Sequence, residues 1–283
     1  MNSISTEREF LSTEREFQKR CRQGIPILMF HKIGNHPASA NMPWFYVSPA
    51  HFERLLDTFK LKNYQSISIS DAVQAKAGMN KRFVFSFDDG YEGSLSYAAP
   101  KLKELGFGAI QFLVANRLGQ RNEWDLGVDT TMERLMDETQ VEEWLSFGLE
   151  IGAHTLTHPR LSEIPISEAR KEIVDSKKKL EDRFGVRVKH FAYPYGNYNQ
   201  AVVDLVREAG FETACTCDPG VVHPAVDPLQ LGRFLTNERS LSPLSSYKLS
   251  YALDDLKSVT RRGRQAARQF VGRAYRYAFP REG

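Results

Sequence analysis

Arg82-Phe83-Val84-Phe85-Ser86-Phe87-Asp88-Asp89-Gly90 is the stretch that decides the fold. Its first six residues are short, β-branched and aromatic, the signature of a strand buried on both faces in a parallel sheet. Two carboxylates and a glycine then stop it abruptly. Working outward, apolar runs recur at 25–30 (ending in His31), 67–69, 108–114, 149–152 (delivering His154), 188–192 (ending at Tyr193-Pro194-Tyr195-Gly196), 211–214 and 231–235. Between them lie segments of helical period. One opens at Ser48-Pro49 with Phe52, Leu55, Leu56 and Phe59 on a common side. Others run over 94–105, 139–147, 167–184 and 200–209, the third placing Ala169, Ile173, Val174, Leu180 and Phe184 together. Strand alternating with helix predicts an α/β fold with a parallel sheet. No glycine-rich phosphate loop follows any strand, whereas polar residues sit at the C-terminal ends of several strands, where a (β/α) barrel builds its active site.

The 283 residues are 41% hydrophobic and 26% charged, which excludes a collagen-like, coiled-coil or wholly disordered chain. Three cysteines cannot make a disulfide framework. The net charge of +3 hides an asymmetry: residues 257–283 hold eight Lys or Arg against Glu282, a net +7, so the rest is mildly acidic at −4. No run approaches the roughly 18 apolar residues of a membrane span, and the polar first 24 residues do not read as a secretory signal, so the expected location is cytoplasmic. A seven-residue repeat, Ser5–Phe10 against Ser12–Phe17, predicts a short leader helix with Phe10, Leu11 and Phe17 on one side.

Three clusters carry chemistry. Adjacent Asp88 and Asp89 either cap a turn or divide the labour of holding a metal and moving a proton. His154-Thr155-Leu156-Thr157-His158 spaces two imidazoles four apart, which on the first turn of a helix would face one way as metal ligands. It is not a zincin motif, because no Glu follows His154. Two His and one Asp would leave open positions for water and a substrate oxygen. Tyr193-Pro194-Tyr195-Gly196 makes a rigid turn whose N–H groups can face a developing oxyanion.

Ser86-Phe87-Asp88-Asp89-Gly90, His154-Thr155-Leu156-Thr157-His158 and Tyr193-Pro194-Tyr195-Gly196, in that order, resemble the first three motifs of the polysaccharide deacetylases, the NodB-homology or carbohydrate esterase family 4 enzymes. The resemblance spans about 25–235 and implies a distorted (β/α)7 barrel that removes N- or O-acetyl groups from a glycan with a divalent ion, Zn2+ first and Co2+ or Ni2+ as alternatives. It implies Asp89, His154 and His158 as metal ligands, Asp88 as catalytic base and the Tyr195 backbone amide in the oxyanion hole. Leu28-Met29-Phe30-His31 is similar to a segment of the poly-N-acetylglucosamine deacetylase branch, which makes His31 the general acid. The sequence departs from the family at Ala192, where many members carry an Arg that orients the base. No late Leu-x-His segment is present, and His223 reads as a loop residue. Arg233 resembles a late-strand Arg of this branch that supports the site, with no partner assigned.

His36, His51 and His190 lack cluster neighbours and read as structural. Trp44-Phe45-Tyr46 and Trp124 are candidates to stack on a sugar, against ordinary packing. The expected organisation is a leader at 1–24, a barrel at 25–255 and a basic amphipathic tail at 256–283. That tail either docks on the barrel or lies on an anionic membrane, which would suit a lipid-linked sugar as substrate. Nothing marks a nucleic-acid reader. The rival readings are a metal-dependent hydrolase of a small non-peptide amide or cyclic ureide, and an inactive glycan-binding barrel.

Overall fold

The computed structural model describes residues 17–18, 20–75, 81–126, 129 and 131–237. Most of the leader repeat and the whole basic tail lie outside them.

Eleven strands occur among the described residues: β1 (Ile25–Phe30), β2 (Lys32–Ile33), β3 (Tyr46–Val47), β4 (Gln65–Ser66), β5 (Arg82–Phe87), β6 (Ile110–Leu113), β7 (Glu150–Ala153), β8 (His190–Ala192), β9 (Thr213–Cys215), β10 (Val221–Val222) and β11 (Phe234–Leu235). The main sheet runs β10-β1-β5-β6-β7-β8-β9, parallel except for β10, with helices between successive strands. It curls without closing. The gap between β9 and β1 is spanned by 231–235, through one bridge from Leu231 to Cys215 and the parallel pairing of Phe234 with Leu28. This is the distorted seven-stranded barrel that the resemblance implies.

The two-residue period of β5 explains both faces of the sheet. Phe83, Phe85 and Phe87 pack outward with Phe52 and Phe59 of helix Pro49–Leu61, and Phe87 meets Trp144 edge-on at 5.8 Å. Val84 joins Ile27, Ile110, Phe112, Ala192, Cys215 and Leu231 in a separate inner cluster. Burying each such Phe contributes about 1.5–3 kcal/mol, so this register is strongly fixed. Parity then sends Ser86 and Asp88 inward. Phe17 also reaches the outer core, stacked on Phe59 at 5.3 Å.

Three expectations change. The apolar alternation at 67–69 is not a strand: Ser68 accepts a hydrogen bond from the Asp71 amide at 3.0 Å and caps helix Ile69–Gln74, so local capping prevails over pattern. The helix at 94–105 is split into a wide π turn at Ser94–Ala98 and an α-helix at Ala99–Leu105, because Pro100 has no N–H to continue the ladder. Val174 is 37% exposed; the buried stripe of helix Ile166–Phe184 passes instead through Ala169, Ile173, Ser176 and Leu180.

Gly152 in β7 permits the closest approach in the sheet, since a Cβ there would stand 2.5 Å from the Phe112 ring and 2.9 Å from the His190 carbonyl oxygen. Gly152→Ala is expected to destabilise the fold by about 1–3 kcal/mol through overpacking, read as a lowered midpoint in urea denaturation.

Candidate active site

Asp88 enters the barrel and meets Arg233, which the 231–235 crossing carries into the same space. Two short contacts join them, Nη1 to Oδ1 at 2.6 Å and Nη2 to Oδ2 at 2.7 Å. Arg233 is 1% exposed, and its Nε donates to the Thr216 carbonyl at 2.9 Å, so the fork is held at its base. Burial pushes the Asp88 carboxyl up, but the charge and hydrogen bonds of Arg233 more than offset it and hold the group below the ordinary carboxylate range. Arg233 thus has the partner that sequence reasoning left open. Position 192 contributes its backbone carbonyl to the site, as an acceptor for His154.

Asp89 has φ +74, a left-handed conformation disfavoured for a side chain. The turn brings Oδ1 to 3.3 Å from Nε2 of both His154 and His158, which are themselves 3.2 Å apart. His154 Nδ1 lies 2.7 Å from the Ala192 carbonyl oxygen, which fixes the ring and turns the Nε2 lone pair inward. The His pair is not on a helix, contrary to the spacing argument. Thr155 and His158 are left-handed at φ +67 and +69, and the Glu172 carboxylate takes the amides of Leu156 and Thr157 at 2.8 and 2.9 Å. The left-handed residues break any helical path, and the loop, held by Glu172, brings the imidazoles together by a different one.

The three residues fit a divalent ion. Asp89 Oδ1 is buried with no hydrogen-bond partner, and the candidate ligand atoms all lie within 4.8 Å of one another. Spacings of 3.2–3.3 Å match the edge, about 3.3 Å, of a tetrahedron with metal–ligand bonds of about 2.0–2.1 Å. All three side chains are buried, so without a cation the cluster would carry an uncompensated charge. Burial first, then the Asp89 charge, holds the Tyr91 phenol well above the ordinary value and keeps it protonated.

His31 follows β1 and places Nε2 4.0 Å from Asp88 Oδ2, with its ring against Phe45 at 4.6 Å. Burial lowers its pKa, while Asp88 and Asp89 pull it back up. Tyr195 is also left-handed, at φ +58, and its ring meets His158 at 4.5 Å under the Arg160 guanidinium at 4.3 Å. Trp124 packs on His158 at 4.5 Å, so the irregular excursion folds over the metal ligands. Tyr46 is turned away and bonded to Glu133 at 2.6 Å. His223 is exposed, and His190 is tied to Thr213 at 2.8 Å. A cavity of about 600 Å³ lined by Lys60, Tyr64, Arg82 and Phe107 opens at the opposite ends of the strands, away from this cluster. Sequence reasoning missed Tyr91 and Asp125. Both lie in segments without period, and only the Tyr91 position, one glycine beyond the Asp pair, offered a signal.

Residues 75–214 match the model of the polysaccharide deacetylase family. The chain is 24% identical over 212 residues to poly-beta-1,6-N-acetyl-D-glucosamine N-deacetylase of Staphylococcus aureus, covering 71% of each. It is 27% identical over 200 residues to the polysaccharide-deacetylase relative YxkH of Bacillus subtilis, covering 69% of this chain and 65% of that one. Its matched part thus spans just under two thirds of YxkH. The fold is similar to IcaB from Ammonifex degensii (TM-score 0.66, 20% identity, 77% of this chain and 94% of that one). It is similar as well to the Streptococcus pyogenes deacetylase PplD in complex with acetate (TM-score 0.65, 23% identity, 77% and 94%). The motifs, the barrel and the triad all agree with the match of residues 75–214 to the polysaccharide deacetylase family.

Arg233→Gln would leave the Asp88 carboxylate buried without a counter-charge, at an expected loss of about 3–5 kcal/mol at neutral pH. Because the folded Asp88 pKa is depressed, the stability it contributes is full above the unfolded value of about 3.9 and is lost as pH falls through the folded one. The gap between wild type and variant should therefore close in urea titrations taken progressively below about pH 4.

Proposed function

We propose that this chain is a metal-dependent N-deacetylase of poly-N-acetylglucosamine or a related amino-sugar glycan, with Zn2+ as its ion. The observation that carries the reading is the buried Asp89-His154-His158 triad beside an Asp88 held ionised by Arg233. The name of the Staphylococcus aureus relative supports the substrate class. A divalent ion held by the triad supplies Lewis acidity to the acetamide carbonyl and acidifies the attacking water.

The chain's own residues handle the protons and the charge. Asp88 accepts the proton of the attacking water, and Arg233 keeps that carboxylate oriented by engaging both oxygens. The amides of Tyr193, Gly196 and Asn197 are taken by the carbonyls of Cys215, Tyr193 and Pro194, and Pro194 has no N–H. This leaves the Tyr195 amide as the donor that the turn can offer to the tetrahedral oxygen. His31, 4.0 Å from Asp88, delivers the proton to the departing amine as the C–N bond breaks, releasing acetate and a free amino sugar. With its pKa lowered by burial, His31 starts neutral and receives the proton during turnover.

Acetate release from β-1,6-linked N-acetylglucosamine oligomers, chitin oligomers and acetylxylan tests this, using protein stripped of metal and then reloaded. Release that requires the ion and falls by about 100-fold or more in Asp88→Asn is expected. No release from any glycan by the metal-loaded protein, with a small amide or cyclic ureide cleaved instead, would overturn the substrate class. For the acid, His31→Ala should lose about 100-fold or more on an N-acetyl sugar but far less on an aryl acetate, whose leaving group needs no proton. Equal losses on both would remove His31 from that role.

A further inference from the structure

The turn Glu123–Asp125 lies over the metal ligands, and two of its side chains have no place in the chemistry above. Trp124 sets one part of its indole on His158 at 4.5 Å and remains partly exposed. The turn is fixed from below: buried Asn122 donates Nδ2 to Asp125 Oδ2 at 2.7 Å and accepts the Glu133 amide on its Oδ1 at 2.6 Å. Asp125 is thereby presented on a rigid support next to Trp124.

The charges around Asp125 do not balance. The charges that act on it are those of Lys32 of β2, Asp89 after β5 and Asp129 on its own loop. Lys32 is already engaged, 3.4 Å from Asp129 Oδ2 and over the rings of Tyr46 and Tyr91 at 4.9 and 5.3 Å. Among the described residues Asp125 makes no salt bridge. Burial, with Asp89 and Asp129 adding to it, raises its carboxyl to about 6 against the opposing effects of Lys32 and Asn122. Lys32 answers Asp129, so among the described residues no cationic side chain pairs with the half-buried Asp125 carboxylate.

We propose that Glu123–Asp125 forms a sugar subsite in which Trp124 packs on the ring of an amino sugar and Asp125 pairs with its ammonium group, so that glycan chains already partly deacetylated are preferred. This rests on the deacetylase reading, because that reaction makes the ammonium group the subsite would recognise. An indole face accepts the C–H side of a sugar ring, and a half-buried carboxylate binds an ammonium more strongly than an acetamide, which carries no charge. Leu126, 66% exposed beside the turn, extends the apolar edge.

Calorimetric binding to zinc-loaded protein carrying Asp88→Asn, in which acetate release is expected to be lost, tests the subsite without turnover, using fully deacetylated and fully N-acetylated β-1,6-linked trimers as probes. This background should bind the glucosamine trimer about fivefold or more tightly than the acetylated one, with the margin shrinking as salt is raised. Asp125→Asn keeps the shape of the side chain and should abolish that margin, whereas Trp124→Ala should weaken both trimers. A background that binds the two alike, or neither, or an added Asp125→Asn substitution that keeps the margin, overturns the proposal. The margin is read from binding alone, so failed acetate release would count against the deacetylase reading and a missing margin against the subsite.

Discussion

The buried pair of Asp88 and Arg233 is the interaction on which both the barrel and its site depend. The sheet leaves a gap between β9 and β1, and 231–235 crosses it with a single bridge on one side and a two-residue strand on the other. Arg233 adds to that thin pairing a bidentate contact with the end of β5 and a bond to the Thr216 carbonyl. A guanidinium in an apolar interior is costly unless it is matched, and a carboxylate there would otherwise protonate. Each makes the other tolerable. The same contact that ties the last crossing to the central strand keeps an ionised carboxylate inside the barrel.

Strain is concentrated where the chemistry is expected. Asp89, Thr155, His158 and Tyr195 are four of the six non-glycine residues with positive φ among those described. Such conformations persist only where surrounding contacts enforce them. Here the enforcement is visible: Glu172 captures two amides of the His loop, Thr155 Oγ1 accepts the His158 amide at 3.0 Å, and the Gly196 and Asn197 amides close the Tyr195 turn. Short, parallel strands deliver residues from separate parts of the chain to one end of the barrel, and the left-handed turns re-aim them over the last few ångströms.

Much of this was legible in the chain. The strands at 25–30 and 82–87 fall where short apolar runs place them, because burial on both faces leaves little other choice. The metal ligands were legible as residue types at strand ends, and their order matched a family. Other features were not. The His spacing suggested a helical turn, but a loop does the work, since positive φ at Thr155 and His158 depends on contacts from Glu172, 14 or more residues further on. Ser68 read as part of a strand, and its capping bond to Asp71 showed otherwise. Trp124 and Asp125 sit in a segment with no period, and periodicity is what such reading rests on.

By itself, the sequence determined the alternation of strand and helix, the inward parity of Asp88 and the set of residues able to hold a metal. These follow from local properties: which side chains avoid water, at what period, and where a carboxylate or imidazole interrupts the run. Only the tertiary structure decided that Arg233 is the counter-charge of Asp88, 145 residues away along the chain, and that Trp124 covers His158. Those pairings depend on how the sheet curls and where its gap falls. No local preference encodes that, because it is set by the packing of all the strands together.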